Sequence, residues 1–264
     1  MAKHIITVDE LKCVGCGACE ADCPASNIKL ELTKAAVRSQ DCLMCGHCVA
    51  VCPVGAVSIS GYAEEPVAVP QGADGPAKTT LDPDELETAL RFRRSVRRFS
   101  HKDVPKAMID RIIEAGRLTP TATNSQGTSY FVIRKHRTEL EAEAVKLVGK
   151  FLPAAKAAVP KLRGFQVSQN FFFKRAPLVI VVVSKDKVSA SMAAQSMMTM
   201  AEAQGLAGFF SGFFSMAVNA SGKIRRRMGM KKQDGKAVTT LVLGWPSVTY
   251  RRSCQREEAR VKWM

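Results

Sequence analysis

The sequence predicts an α+β protein in two unequal domains, and three observations carry the prediction. Two matching cysteine runs fill the first 53 residues. A stretch rich in Pro and Gly follows without periodicity. Beyond it, amphipathic helical patterns alternate with β-branched strands to the C-terminus. The boundaries fall at 1–60 for the first domain, 61–82 for a linker and 83–264 for the second domain.

The cysteine runs read Cys13-Val-Gly-Cys16-Gly-Ala-Cys19-Glu-Ala-Asp-Cys23-Pro24 and Cys42-Leu-Met-Cys45-Gly-His-Cys48-Val-Ala-Val-Cys52-Pro53. Spacings of two, two and three residues before Pro are those of a bacterial ferredoxin run for a [4Fe-4S] cluster, so two runs imply two clusters in a ferredoxin-like module. The fourth Cys of each run lies beyond the reach of the first three and serves the other cluster. The ligand sets are then Cys13, Cys16, Cys19 and Cys52 for cluster 1, and Cys42, Cys45, Cys48 and Cys23 for cluster 2. Structural zinc would use four thiolates and leave the rest of the repeat idle. A disulfide framework suits a secreted chain, and Met1-Ala2-Lys3-His4 does not open a secretory signal. His47 reads as a neighbour of the second cluster rather than a ligand, and Cys254, the ninth Cys, as a plain free thiol.

With 264 residues and 46% hydrophobic content, the chain can bury a sizeable core. Its longest strongly apolar run, residues 177–183, is far short of the roughly 20 residues of a membrane span. A soluble, cytoplasmic protein is expected, with no membrane contact. The net charge of +15 divides as −1 over residues 1–60, −3 over 61–82 and +19 over 83–264. A field of that kind attracts a phosphate-bearing cofactor, an acidic partner or nucleic acid. Nucleic acid is set aside because it would leave the cysteine repeats without a purpose.

In the first domain, short strands are expected at Ile5–Thr7, Ile28–Leu30 and Ala56–Ile59. In the second, Asp82-Pro83 starts a helix with Leu86, Ala89 and Leu90 on one face. A second helix follows Pro105, and a third starts at Thr138, whose partner Glu141 completes a capping box. Tyr130–Ile133, Val179–Val183 and Val238–Leu243 read as strands. Residues 192–203 form a helix apolar nearly all round, suited to a core or a subunit interface. Residues 151–173 read as a mobile helical flap, and Lys223-Ile-Arg-Arg-Arg227 with Lys231-Lys232 as a solvated basic helix face, the alternative being a docking site for an acidic electron carrier.

Two segments carry the chemistry of the second domain. Arg93-Arg94-Ser95-Val96-Arg97 offers guanidinium forks and a hydroxyl to a phosphate monoester. Thr121-Ala-Thr-Asn124-Ser-Gln126 offers amides that both donate and accept. No phosphate loop or dinucleotide fingerprint occurs. Together with Ala176-Pro177 before a Val-rich strand, a long Ala/Met helix ending Glu202-Ala-Gln-Gly205-Leu206, and Leu243-Gly244-Trp245-Pro246, these segments resemble the nitroreductase family of FMN enzymes. With the cysteine runs, the chain is similar to the members of that family fused to a ferredoxin domain.

The resemblance implies an α+β sandwich that forms a homodimer and binds FMN at the subunit interface. It assigns the FMN phosphate and ribityl to Arg93, Arg94, Ser95 and Arg97, and ribityl or ring contacts to Asn124 and Gln126. Ser211 and Gly212 would lie against the ring, and Arg252 or Arg256 would return to the phosphate. The implied activity is an FMN-dependent oxidoreductase whose clusters relay electrons to the flavin for reduction of a small organic acceptor. The donor would be reduced ferredoxin or NAD(P)H. The alternatives are an NAD(P)H-driven flavin reductase and a ferredoxin-type carrier without its own substrate.

Overall fold

The computed structural model describes residues 4–69, 71–72, 75–76, 81–158, 160, 163–164 and 166–264. The chain divides into two compact units: Met1–Leu81 with Ala122–Ser125, and Asp82–Thr121 with Gln126–Met264.

The first unit is built twice. Strand β1 (Ile5–Val8), helix α1 (Ala18–Ala21) and strand β2 (Ile28–Glu31) are followed by β3 (Lys34–Val37), α2 (His47–Val51) and β4 (Val57–Ser60). The second set repeats the first at an offset of 29 residues, taking Cys13 to Cys42, Cys16 to Cys45, Cys19 to Cys48 and Cys23 to Cys52. The backbone repeats with it. Gly15 (φ 68°) matches Met44 (52°), Gly17 matches Gly46 (both 77°), and Ser26 (48°) matches Gly55 (61°), all in the left-handed region. Strands pair across the repeat, β1 with β4 and β2 with β3, both antiparallel. This interleaving carries the fourth Cys of each run toward the other half.

Three of the eight buried residues in this unit's core are cysteines, beside Ile6, Ile28, Ala35, Ala56 and Val57. So small an apolar core depends on what the thiols hold. The expected connector over 61–82 lies partly outside the described residues. Within them Gln71–Gly72 (β5) and Gly75–Pro76 (β6) form a small antiparallel pair.

The second unit is an antiparallel sheet between two helical layers. Its strands are β7 (Ser129–Ile133), β8 (Leu178–Ser184), β9 (Ala207–Phe210) and β10 (Lys236–Gly244), in the order β7-β8-β10-β9. All seven residues of β8 are buried. Val179, Val181 and Val183 face a cluster with Phe172, Phe173, Phe214 and Leu140, from the side of α5 (Arg137–Ala158) and α7 (Gly212–Ala220). Leu178, Ile180 and Val182 face Ile109 and Ile112 of α4 (Lys106–Arg117) and Ala194, Met197 and Met198 of α6 (Lys187–Ala203). Full burial is worth roughly 1.5–3 kcal/mol per large aliphatic side chain. That explains an unbroken β-branched run where a one-sided sheet would alternate.

Helix α3 (Pro83–Phe92) starts at Asp82, whose Oδ1 accepts from Asp84 N and Glu85 N, both at 3.0 Å. None of its residues is buried, although Leu86, Ala89 and Leu90 share a face. Helix α6 is less enclosed than its composition suggests: Met192, Gln195 and Thr199 are exposed, and one face alone enters the core. No helix among the described residues is long and apolar enough to cross a membrane.

Two expectations are corrected around α5. The helix begins at Arg137, and Glu141 makes no capping box. Its buried Oε1 accepts instead from Phe172 N (2.8 Å) and Phe173 N (2.7 Å). Residues 151–158 are helical as expected, continuing α5 past Pro153 with Phe151 exposed, whereas Phe172 and Phe173 are core residues and no part of a flap. Residues 159, 161–162 and 165 of that stretch lie outside the described residues.

Burial raises the pKa of Glu141 above its ordinary 4.5, outweighing the two N–H donors. The folded carboxyl therefore keeps its proton to higher pH than the unfolded one. Its contribution is complete below about pH 4.5 and is lost as pH rises through the folded value. Urea unfolding should show wild-type stability falling relative to Glu141→Gln across that window. Glu141→Ala, which leaves two buried N–H groups without an acceptor, should cost about 2–5 kcal/mol. Parallel pH profiles for wild type and the Gln variant would contradict the assignment.

Candidate functional site

Helices α1 and α2 are single turns opened by left-handed glycines, Gly17 and Gly46. They set Cys19 and Cys48 inward, each about 7% exposed. One cavity is ringed by Cys13, Cys16, Cys19 and Cys52, the other by Cys23, Cys42, Cys45 and Cys48, with His47 at the second wall. The two cavities are nearly equal in size. The thiols surround space rather than meet at a point, and among the described residues no three His, Cys, Asp or Glu side chains are grouped to hold one metal ion. That geometry suits a polynuclear cluster better than zinc.

Backbone N–H groups also point at sulfur. Asn27 N lies 3.1 Å from Cys23 Sγ, and its repeat counterpart Ala56 N lies 3.2 Å from Cys52 Sγ. Ala35 N approaches Cys13 Sγ at 3.5 Å and Met44 N approaches Cys42 Sγ at 3.4 Å. Burial raises the Cys23 and Cys52 thiols, but these N–H groups outweigh it and hold both below the usual range. Burial pushes Cys48 up to about 11 and also raises Cys19. The inner thiols must lose protons when metal binds, so loading is coupled to proton release.

In the second unit, residues 93–100 run extended along β9 and past the end of β10. Val96 N donates to Gly208 O (2.9 Å), Ser247 N to Arg98 O (3.0 Å) and Ser100 N to Trp245 O (2.9 Å). Arg93 lies over the Phe210 ring and Arg97 over the Phe209 ring, 5.4 and 5.3 Å to the centroids. Glu202 near the end of α6 places Oε1 3.4 Å from Arg93 Nε. Burial raises the Glu202 carboxyl, with Arg93 drawing it back. Arg94 stacks on Tyr250 at 4.4 Å and donates from Nη2 to Arg252 O (2.6 Å).

Arg93 Nη2 and Arg94 Nε are nonetheless buried, and no described group accepts from them. Buried guanidinium donors of this kind fit an anionic oxygen. Ser95 and Arg97 are exposed in the same segment. The groove beside it is lined by Leu90, Phe92, Arg93, Arg94, Glu202 and Tyr250.

The remaining site residues are spread more widely. Buried Ser211 precedes α7, its N–H on Thr240 O (2.8 Å), and Gly212 opens that helix. Arg252 meets Arg94 through its carbonyl, whereas Arg256 is exposed beside Gln255. Gln126 N donates to Thr121 Oγ1 (3.0 Å). Thr123, Asn124 and Gln126 all hold left-handed φ between 47° and 53°, a conformation costly for residues with a Cβ and concentrated at functional loops. Asn124 belongs with the first unit, where Nδ2 donates to Met44 O (2.8 Å). Sequence reasoning gave no role to Glu202, Phe209, Phe210 or Tyr250. A lone acid ending an apolar helix was the one available signal.

Residues 90–245 match the nitroreductase family, and residues 5–53 match the 4Fe-4S dicluster domain. A Methanothermobacter thermautotrophicus protein provisionally named NADH dehydrogenase/NAD(P)H nitroreductase is 26% identical over 173 residues, which are 62% of this chain and 78% of that protein. Among solved structures, the fold is shared with an FMN-bound nitroreductase of Bacteroides fragilis (TM-score 0.56, 18% identity, 68% of this chain and 99% of that one). It is also shared with an FMN-bound nitroreductase of Desulfitobacterium hafniense (TM-score 0.55, 18% identity, 68% and 98%). A BluB-like flavoprotein of Clostridium difficile 630 is similar as well (TM-score 0.54, 19% identity, 67% and 99%).

Gly15 gives the first cavity a specific weak point. Its φ is +68°, and a Cβ there would lie 2.2 Å from Thr33 O. Gly15→Ala should therefore lose about half the iron of the purified chain, the share of one of two clusters. Gly55→Ser, whose repeat counterpart is already Ser26, should keep its iron. Iron assay of both variants decides, and full iron in Gly15→Ala would refute the packing argument.

Proposed function

Because the chain belongs to the nitroreductase family and carries a 4Fe-4S dicluster domain, we propose that it is an FMN-dependent oxidoreductase in which two [4Fe-4S] clusters relay single electrons to FMN for reduction of a small organic acceptor. The acceptor class is nitroaromatic, quinone or activated alkene. What FMN supplies when bound is a ring that exchanges one or two electrons, joining a one-electron source to a two-electron acceptor. The observation that carries the reading is the presence, in one chain, of two four-thiol cavities and an arginine segment with buried donors lacking acceptors. FMN in the B. fragilis and D. hafniense structures supports the choice of flavin.

In this reading Cys13, Cys16, Cys19 and Cys52 ligate one cluster and Cys23, Cys42, Cys45 and Cys48 the other. Arg93, Arg94, Ser95 and Arg97 hold the phosphate. Glu202 orients Arg93 and leaves its Nη2 for the anion, and the Arg94–Arg252 contact brings the C-terminal segment to the same place. Ser211 and Gly212 present the start of α7 to the ring. Gln126 serves ribityl or ring, because Asn124 Nδ2 is already engaged by Met44. The electron source is a reduced ferredoxin or a carrier like it. A second reading, direct reduction by NAD(P)H, is favoured by the name of the Methanothermobacter relative.

The reading also includes a homodimer. Leu90 and Phe92 of α3 are 53% and 54% exposed beside the arginine segment, an apolar face that a second copy would cover. Light scattering should give twice the chain mass, and a monomer at micromolar concentration would remove this element.

The cofactor assignments separate in three variants. Arg93→Ala and Arg97→Ala should each weaken FMN binding by about 1.5–3 kcal/mol and leave iron unchanged. Cys48→Ser should keep FMN and its direct chemical reduction but slow flavin bleaching by reduced ferredoxin many-fold in anaerobic stopped flow. NAD(P)H-driven bleaching, if observed, should be the same in wild type and Cys48→Ser. Equal ferredoxin-driven rates in wild type and Cys48→Ser would take that cluster off the path.

A further inference from the structure

The basic run Lys223-Ile-Arg-Arg-Arg227 forms helix α8 (Gly222–Arg227), and the helix divides its charges. Lys223 and Arg227, four residues apart and so on one face, both reach Glu143 Oε1, at 3.1 and 3.4 Å. Arg225 lies across the helix from that pair, and Arg226, three residues from Lys223, flanks it. Both line a depression of about 780 Å³, together with Lys185, Lys187, Lys232 and Lys236. Six cations from separate stretches of the chain surround it, and among the described residues no carboxylate lines it.

The fold brings these cations together by force of packing. Gly235 (φ +95°) lies so close to the end of β8 that a Cβ would fall 2.5 Å from Ser184 C. That approach sets Lys232 and Lys236 against Lys185 and Lys187. Arg225 is fixed in the wall, since its Nη2 donates to Gly235 O (3.0 Å) and Lys231 O (3.2 Å). Asp186 and Asp234, the acids between these lysines in sequence, keep their charge but point their carboxylates at backbone N–H groups. Asp186 caps α6 through Val188 N and Ser189 N, and Asp234 accepts from Lys231 N.

We propose that this depression binds a small polyanion carrying two or more linked phosphates, such as a nucleoside diphosphate or inorganic pyrophosphate. Converging like charges repel one another unless an anion answers them, and a guanidinium held in place beside mobile ammonium groups suits clustered phosphate oxygens. An extended nucleic-acid strand would call for aromatic stacking surfaces, and among the described residues no aromatic side chain lines the depression. A protein interface would call for aromatic or aliphatic anchors, and Met230 is the one large apolar residue in the lining. The site is separate from the arginine segment. Lys187 and Glu202 stand at opposite ends of α6, roughly 22 Å apart at 1.5 Å per residue. The ligand is therefore not the flavin phosphate.

Isothermal titration of the full chain, loaded with iron and flavin, tests the proposal with inorganic pyrophosphate, ADP and a ten-nucleotide thymidine oligomer against potassium chloride at matched ionic strength. Saturable binding of pyrophosphate or ADP at one per chain is expected, weakened at least tenfold in Lys187→Glu/Arg226→Glu with iron and flavin content unchanged. ADP binding tighter than pyrophosphate would identify a nucleotide, and equal affinity would mean that the phosphates alone are recognised. Should the double reversal fail to fold, Lys185→Ala/Lys232→Ala, at two exposed positions, gives the same readout. No saturable binding, undiminished binding in the folded variant, or displacement of ADP by the oligomer at lower concentration would overturn the proposal.

Discussion

Burial of β8 on both faces is the constraint on which the second unit depends. Seven consecutive apolar or small residues cannot be covered from one side, so α4 and α6 must close one face and α5 and α7 the other. Strand β10 then fills the place beside β8 with a long antiparallel register, and β9 becomes an edge. An edge strand leaves N–H and C=O groups that need partners. Residues 93–100 supply part of that cover through Val96 and Gly208. The arginines that carry the flavin reading thus owe their position to a backbone requirement of the sheet.

The first unit obeys a different constraint. Its apolar core is small, and its organisation comes from duplication and from sulfur. Each half contributes three thiols to one cavity and one to the other, and strand pairing across the repeat makes that exchange unavoidable. The equivalent N–H contacts to Cys23 and Cys52 mean that the duplication extends to the electrostatic surroundings of the sulfurs, which are among the influences on cluster potential. The two halves differ in the residue beside the buried Cys: Ala18 in the first, His47 in the second.

Much of this was legible because the signals were local. The cysteine spacing, the Asp82-Pro83 helix start and the β-branched runs of β8 and β10 are each set by neighbours in sequence. What was missed depends on distant partners. Ala207–Phe210 has only four residues, and its strand character comes from pairing with Leu241–Gly244. Lys34–Val37 is similarly defined by its partner β2 and by the duplication. Glu141 follows Thr138 at capping-box spacing, but the buried N–H groups of Phe172 and Phe173 draw the carboxylate inward. Arg93 and Arg97 were visible as cations, whereas the Phe210 and Phe209 rings beneath them come from a segment more than a hundred residues away.

Charge was the least legible feature, since a run of like charges in sequence does not say which of them share a surface. The excess of +19 over residues 83–264 resolves into groups with different surroundings. Arg93 has a half-buried carboxylate beside it, Lys223 and Arg227 share Glu143, and Arg225 is held by carbonyls in a wall of cations where, among the described residues, no acid lines the surface. Helical periodicity sets Arg225 across the helix from Lys223 and Arg227, with Arg226 flanking them. A solvated basic helix face would present its charges to water individually. Here Lys223 and Arg227 share the single carboxylate of Glu143 on α5, while Arg225 and Arg226 are gathered with lysines from two further segments by the close approach of Gly235 to Ser184. Concave convergence, more than the number of basic residues, distinguishes a binding surface from a merely soluble one.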